Sequence, residues 1–163
     1  MESQTDTKKF EDRVLREIRN RAMLRKGDGV LAAISGGADS ICLASVLVRL
    51  RQRLGITIAA GHVNYHLRGD DSNEDEKFVR KFCTEKGITL HCLSADPGAV
   101  EKGNMEENAR RIRYDFLSGI ACREKMIIAT GHNADDQAET FMFNLLRGSG
   151  SKGLSGMAPI RRH

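Results

Sequence analysis

The sequence predicts an α/β domain, a parallel β-sheet with helices on both faces. Three observations predict it. Short apolar runs with the length of buried strands alternate with stretches whose apolar residues recur at helical spacing. A glycine-rich loop stands directly between the first of these runs and the helix behind it. The segments richest in polar side chains, 35–40, 62–68 and 131–136, each follow a strand. In such sheets ligands bind at the carboxyl ends of the strands.

A chain of 163 residues fits one domain, or most of one. Residues 1–7 are polar and read as loose. From Lys8 to Lys26, Phe10, Val14, Ile18 and Ala22 recur every fourth position, one face of a helix. This segment, within residues 1–27, is expected to pack on the domain that follows. Its other face carries Arg13, Arg16, Arg19, Arg21 and Arg25. A solvated face is favoured there over a polyanion-binding one.

Gly29 to Ile34 is an apolar run suited to a buried parallel strand. The glycine loop follows, then a helix from Ile41 to Leu54 that Gly55 stops. Ile56 to Ala60 is the second strand. Ser72 with Asp75 marks a helix start, and Phe78, Val79, Phe82 and Cys83 form its buried stripe up to Gly87. Ile88 to Leu93 is the third strand. Residues 94–103 read as a loop, and Asn104 with Glu107 as a capping box. The helix behind it aligns Met105, Ala109, Ile112, Phe116 and Ile120. Met126 to Thr130 is the fourth strand, and a last helix begins near Asn133. Four strands are few, so a fifth is expected from beyond residue 163.

The charge is +4, with 40% hydrophobic and 29% charged residues. That is ordinary for a soluble globular protein and permits a nucleotide or nucleic-acid partner without requiring one. No apolar run approaches the roughly 20 residues of a membrane span. No secretory signal is visible, so a soluble cytoplasmic protein without a membrane partner is expected. Cys42, Cys83, Cys92 and Cys122 form no C-x-x-C pair. Zinc-finger, thioredoxin-like and iron–sulfur spacings are therefore missing, and three of the four read as small core side chains.

The loop Ser35-Gly36-Gly37-Ala38-Asp39-Ser40 is neither a Walker A sequence nor G-x-G-x-x-G. Its paired glycines let backbone N–H groups approach an anion, and the following helix adds its positive end. Ser35 and Ser40 can donate to phosphate oxygens. Asp39 would repel a phosphate, so its expected partner is a bridging Mg²⁺. In the second segment Asn64, His66 and Arg68 alternate, and Arg68 suits a phosphate or carboxylate clamp. The histidines suit metal ligands by type, but no sulfur or close carboxylate partner completes a site, and ordinary hydrogen-bonding histidines read at least as well. In the third, His132 with Asp136 and Asp135 with Glu139 are each four apart. Paired carboxylates beside a phosphate loop point to Mg²⁺ or to positioning a nucleophile, with helix capping as the plainer reading. Arg110, Arg111 and Arg113 add a basic patch.

Together these segments resemble the N-type ATP pyrophosphatases, and within them the bacterial tRNA(Ile)-lysidine synthases. The matching stretches are LAAISGGADS at 31–40, GHVNYHLRGDDSNEDEKFV at 61–79, EENARRIRYDFL at 106–117, ATGHNADDQAET at 129–140 and NLLRGSGSKGLSGMAPIR at 144–161. The resemblance implies a Rossmann-like fold of the adenine nucleotide α-hydrolase type over residues 28–163, cut short at its C-terminal end. It implies ATP and Mg²⁺ as cofactors, with tRNA(Ile) bearing a CAU anticodon and free L-lysine as partners. A homodimer is one assembly open to it. ATP would adenylate the C2 oxygen of the wobble cytidine, and lysine would then displace AMP. By the same resemblance Ser35, Gly36, Gly37, Ala38, Asp39 and Ser40 grip the pyrophosphate, with Asp39 and Asp136 at the metal. His62, Asn64 and Arg68 lie near the nucleotide. Arg111, His132, Asp135 and Asp136 line the lysine and cytidine side. Tyr65 stands where relatives usually carry a histidine, and His66 where they carry glycine or a similar residue. A tRNA cytidine thiolase and a non-catalytic or incomplete ATP-binding domain are the alternatives.

Overall fold

The computed structural model describes residues 2–131. Four parallel strands, β1 (Gly29–Ala33), β2 (Thr57–Asn64), β3 (Thr89–Ser94) and β4 (Met126–Ala129), stand in the order β3-β2-β1-β4. Val30 lies opposite Ile58 on one side and Ile127 on the other. The chain builds outward from β1 to β3, then returns to place β4 on the far side of β1. The strand order therefore reverses at β1, the position at whose carboxyl end such sheets bind their ligands.

The period-two alternation of strand side chains divides the core between the two faces. Val30, Ala32, Ile34 and Ala60 pack with Ala44 and Leu47 of α2 (Ala38–Leu54) and with Val79, Phe82 and Cys83 of α3 (Asp70–Lys86). Leu31 and Ala59 point the other way, onto Leu117 and Ile120 of α5 (Met105–Glu124). α2 and α3 end at Gly55 and Gly87, with φ of 67° and 61°, and the glycine N–H groups close back on the last turn. Only a residue free to adopt positive φ makes that stop without strain.

The α/β class and all four strands are as the sequence predicts, and several boundaries differ. α1 (Glu2–Asn20) begins within the stretch read as loose and ends before Lys26. Its buried residues among those described are Leu15 and Ile18, whereas Phe10 is 48% exposed and Ala22 lies past the helix at positive φ. The stripe was misread because α1 buries a narrow seam, and Glu11 on that seam pairs with Arg49 of α2 at 2.9 Å. Asp12 likewise holds Arg53. α3 starts at Asp70 behind Gly69, and Phe78 faces outward. Residues 97–101 form a short helix, α4, capped by the Asp96 side chain. β2 runs four residues beyond Ala60, so His62 and Asn64 are strand residues. Of the cysteines only Cys83 is buried, and Cys42 and Cys122 are exposed. The predicted helix from Asn133 lies outside the described residues.

Candidate nucleotide site

The loop after β1 is organised from within. Gly36 has φ of 99°, a conformation side chains rarely adopt. The Ser40 hydroxyl donates to the Gly37 carbonyl at 2.8 Å and accepts the Ser35 N–H at 3.2 Å. Ser40 is buried, so its hydroxyl holds the loop's shape. Ser35 is exposed, and its Oγ accepts the Gly37 N–H at 3.3 Å. α2 begins at Ala38 behind Gly37, and no side chain caps it. A helix start of this kind offers its first N–H groups to an anion. Asp39 sits exposed in that first turn.

The end of β2 supports the loop from beside it. His62 Nδ1 lies 2.8 Å from the Ile34 carbonyl, directly before the loop. A carbonyl only accepts, so Nδ1 carries a proton. Nε2 is buried and has no hydrogen-bond partner among the described residues. Asn64 is also buried. Its amide donates to Glu76 at 2.9 Å and to Asn73 at 3.3 Å, and its Oδ1 accepts the His66 N–H at 2.9 Å. All of its polar capacity toward these neighbours shapes the 64–76 segment. The Asn64 hydrogen bond, together with Arg80, holds the Glu76 carboxyl below its ordinary range.

His66 adopts φ of 56°, a left-handed conformation that favours glycine. Its Nε2 meets Ser94 Oγ at 2.6 Å. Arg68 is exposed and pairs with Asp75 at 2.6 Å. On the opposite sheet face, the Tyr65 hydroxyl donates to the Ala109 carbonyl of α5 at 2.9 Å. Burial raises the Tyr65 hydroxyl above its ordinary pKa, against the opposing charge of Arg113. Arg111 is exposed near that tie, and its guanidinium donates to Asn108 at 3.4 Å. Arg110 and Arg113 stand over the Tyr114 ring at 5.5 and 5.7 Å, a cation–π arrangement.

β4 returns the chain to the glycine loop. A Cβ on Gly131 would stand 3.0 Å from the Asp39 carbonyl oxygen and 3.1 Å from Ser40 Cα. Gly131 thus lets the end of β4 touch the first turn of α2. His132, Asp135 and Asp136 lie outside the described residues. Sequence reasoning gave Asp75 and Glu76 only a helix-start role and gave Asn73 none, so it missed all three as site residues. The acidic run 70–76 was their only visible signal.

No group of three or more His, Cys, Asp or Glu residues gathers as a metal cage among the described residues. Magnesium does not demand one. It typically takes one or two carboxylates and completes its shell with phosphate oxygens and water. An exposed aspartate in the first turn after a phosphate loop fits that requirement.

The PP-loop domain family matches residues 6–163. The tRNA(Ile)-lysidine synthase of Chlorobaculum tepidum is 43% identical over 154 residues, covering 91% of this chain and 46% of that protein. The synthase of Symbiobacterium thermophilum is 42% identical over 154 residues, with 93% and 32% covered. That of Clostridium acetobutylicum is 38% identical over 152 residues, with 91% and 33% covered. The chain thus spans a third to just under half of the length of these curated relatives. Among solved structures, a U34-tRNA thiolase from Methanococcus maripaludis with its [4Fe-4S] cluster superposes with a TM-score of 0.75 at 26% identity, covering 88% of this chain and 51% of that one. With the glycine loop at the reversal of a parallel sheet and the family matching nearly end to end, the chain belongs to the PP-loop domain family.

Proposed function

We propose that this chain is the ATP-splitting part of a tRNA(Ile)-lysidine synthase. The observation that carries the reading is the run of lysidine synthases at 38–43% identity across about nine-tenths of the chain. The site supports it with an uncapped helix start behind a glycine loop. In the proposed reaction the C2 oxygen of the wobble cytidine attacks the α-phosphorus of ATP. The bond to the β-phosphate oxygen breaks and pyrophosphate leaves. The amine of lysine then attacks C2, and AMP departs with the oxygen.

The roles follow from chemistry. Backbone N–H groups of 35–40 and the guanidinium of Arg68 stabilise the charge growing on pyrophosphate. Asp39, with Asp136, would hold magnesium, which would supply positive charge against the phosphates. His62 and Asn64 shape the strand end beside the nucleotide. Arg111 of α5 would suit a tRNA phosphate or the lysine carboxylate. The attacking amine must shed a proton, a role for His132 or for Asp135.

The thiolase reading draws on the structural likeness. This chain carries no C-x-x-C pair, and its four cysteines are spread over α2, α3, β3 and α5. The lysidine reading is therefore preferred. Incubation with ATP, magnesium, lysine and a tRNA(Ile) transcript bearing CAU tests it. Lysine-dependent AMP release is expected, with a cytidine heavier by lysine less one water. ATP binding without that product would instead favour a non-catalytic or incomplete domain. A sulfur-containing cytidine formed with a sulfur donor would favour the thiolase.

A further inference from the structure

The glycine loop is overhung by one side chain from another element. At Gly36, where a side chain would begin, the nearest atoms are Cβ, Cγ and Oδ1 of Asp75, all 3.3 Å away. The other oxygen, Oδ2, accepts a hydrogen bond from Arg68 Nη2 at 2.6 Å. One carboxylate therefore lies against the loop and holds an arginine at the same time. The backbone of Arg68 is fixed as well, because its N–H donates to Ser72 Oγ at 3.1 Å. Both anchors come from the first turns of α3.

Stability does not account for this arrangement. The Arg68 and Asp75 side chains are 67% and 37% exposed, and such a pair contributes less than about 1 kcal/mol. Orientation does account for it. A guanidinium has five donors in a planar fork, and one spent on Asp75 leaves the others for an anion. A bare carboxylate beside an anion loop would repel phosphate. Paired with Arg68, it presents no net charge and a directed set of donors.

We infer that Asp75 is a positioning residue for the polyphosphate, aiming Arg68 across Gly36 at the pyrophosphate part of ATP. The inference rests on the reading of 35–40 as the phosphate grip. Calorimetric titration of the 163-residue chain with Mg–ATP, Mg–pyrophosphate and adenosine tests both. Arg68→Ala is expected to weaken ATP and pyrophosphate about tenfold, the worth of one charge-assisted hydrogen bond. Asp75→Asn is expected to weaken both about threefold while leaving adenosine unmoved. In the Arg68→Ala background the same change should add nothing, as for two residues acting through one contact. An unchanged thermal midpoint for Asp75→Asn excludes a general loss of folding. Tighter or unaltered pyrophosphate binding by Asp75→Asn overturns the inference, as does an undiminished effect without Arg68. A wild-type chain that binds neither ATP nor pyrophosphate overturns the phosphate-grip reading as well.

Discussion

Two residues decide how far the site's geometry and its chemistry can be separated. His66 sits at φ of 56°, which costs a non-glycine residue about 1 kcal/mol. Its hydrogen bond to Ser94 returns a similar amount. His66→Gly should therefore change stability by less than about 1 kcal/mol in urea unfolding. His66→Val keeps the strain, loses the hydrogen bond and adds a β-branch, so it should cost about 2 kcal/mol. Equal effects would show that the turn is not held as described. His132 is the chemical counterpart. As the proposed base for the amine, it should matter to the second step only. His132→Ala is expected to lower lysine transfer at least tenfold more than it lowers adenylation, with the two steps separated by single-turnover assays. Parallel loss of both would remove the base role.

The elements set the site through their ends. Gly131 allows the end of β4 to touch the first turn of α2, where the listener to any added methyl is backbone and cannot rotate away. Gly131→Ala should therefore displace the start of α2 and weaken Mg–ATP binding by about tenfold, read by calorimetry, more than it shifts the thermal midpoint. Asn104 offers the contrasting case. Its side chain accepts the Glu107 N–H at 3.3 Å and caps α5. Asn104→Ala should cost about 1 kcal/mol of stability and leave nucleotide affinity alone. These ends were unequally legible in the sequence. Strands, glycine stops and the Asn104 cap follow from local patterning, so their positions could be read directly. The seam of α1 was legible only in part, because Ile18 lies on the four-residue repeat and is buried, whereas Leu15 off the repeat is buried and Phe10 on it is exposed. In the site, the loop 35–40 announced itself through its glycines. Asp75 did not, since an aspartate in a helix's first turns looks like ordinary helix chemistry until the fold brings it over Gly36.

At the scale of the whole domain, Glu76 and Cys83 of α3 give stability a pH window. Glu76 is held below its ordinary pKa by Asn64 and Arg80. A carboxyl lowered in the fold stabilises above its unfolded pKa, and that stabilisation fades as pH falls through the folded one. Cys83 bounds the other side. Burial foremost, and then the neighbouring Cys92, push its thiol up from 9.0 to about 11. The fold therefore favours the neutral thiol, whereas the unfolded chain releases the proton earlier. Below pH 9 this group leaves stability unchanged, and between about 9 and 11 stability falls with rising pH by roughly 2 kcal/mol in all. Lysines and tyrosines titrate in the same range, so the comparison must be made with Cys83→Ala. Urea midpoints at pH 8 and pH 10.5 should converge for that variant relative to the wild-type chain. The same burial predicts the thiol's reactivity at pH 8. Iodoacetamide should label the exposed Cys42 and Cys122 in the folded chain, and Cys83 only as fast as the domain opens. Rapid native labelling of Cys83 would mean that α3 is not seated on the sheet, and with it the support that carries Asp75 and Arg68 to the glycine loop would be lost.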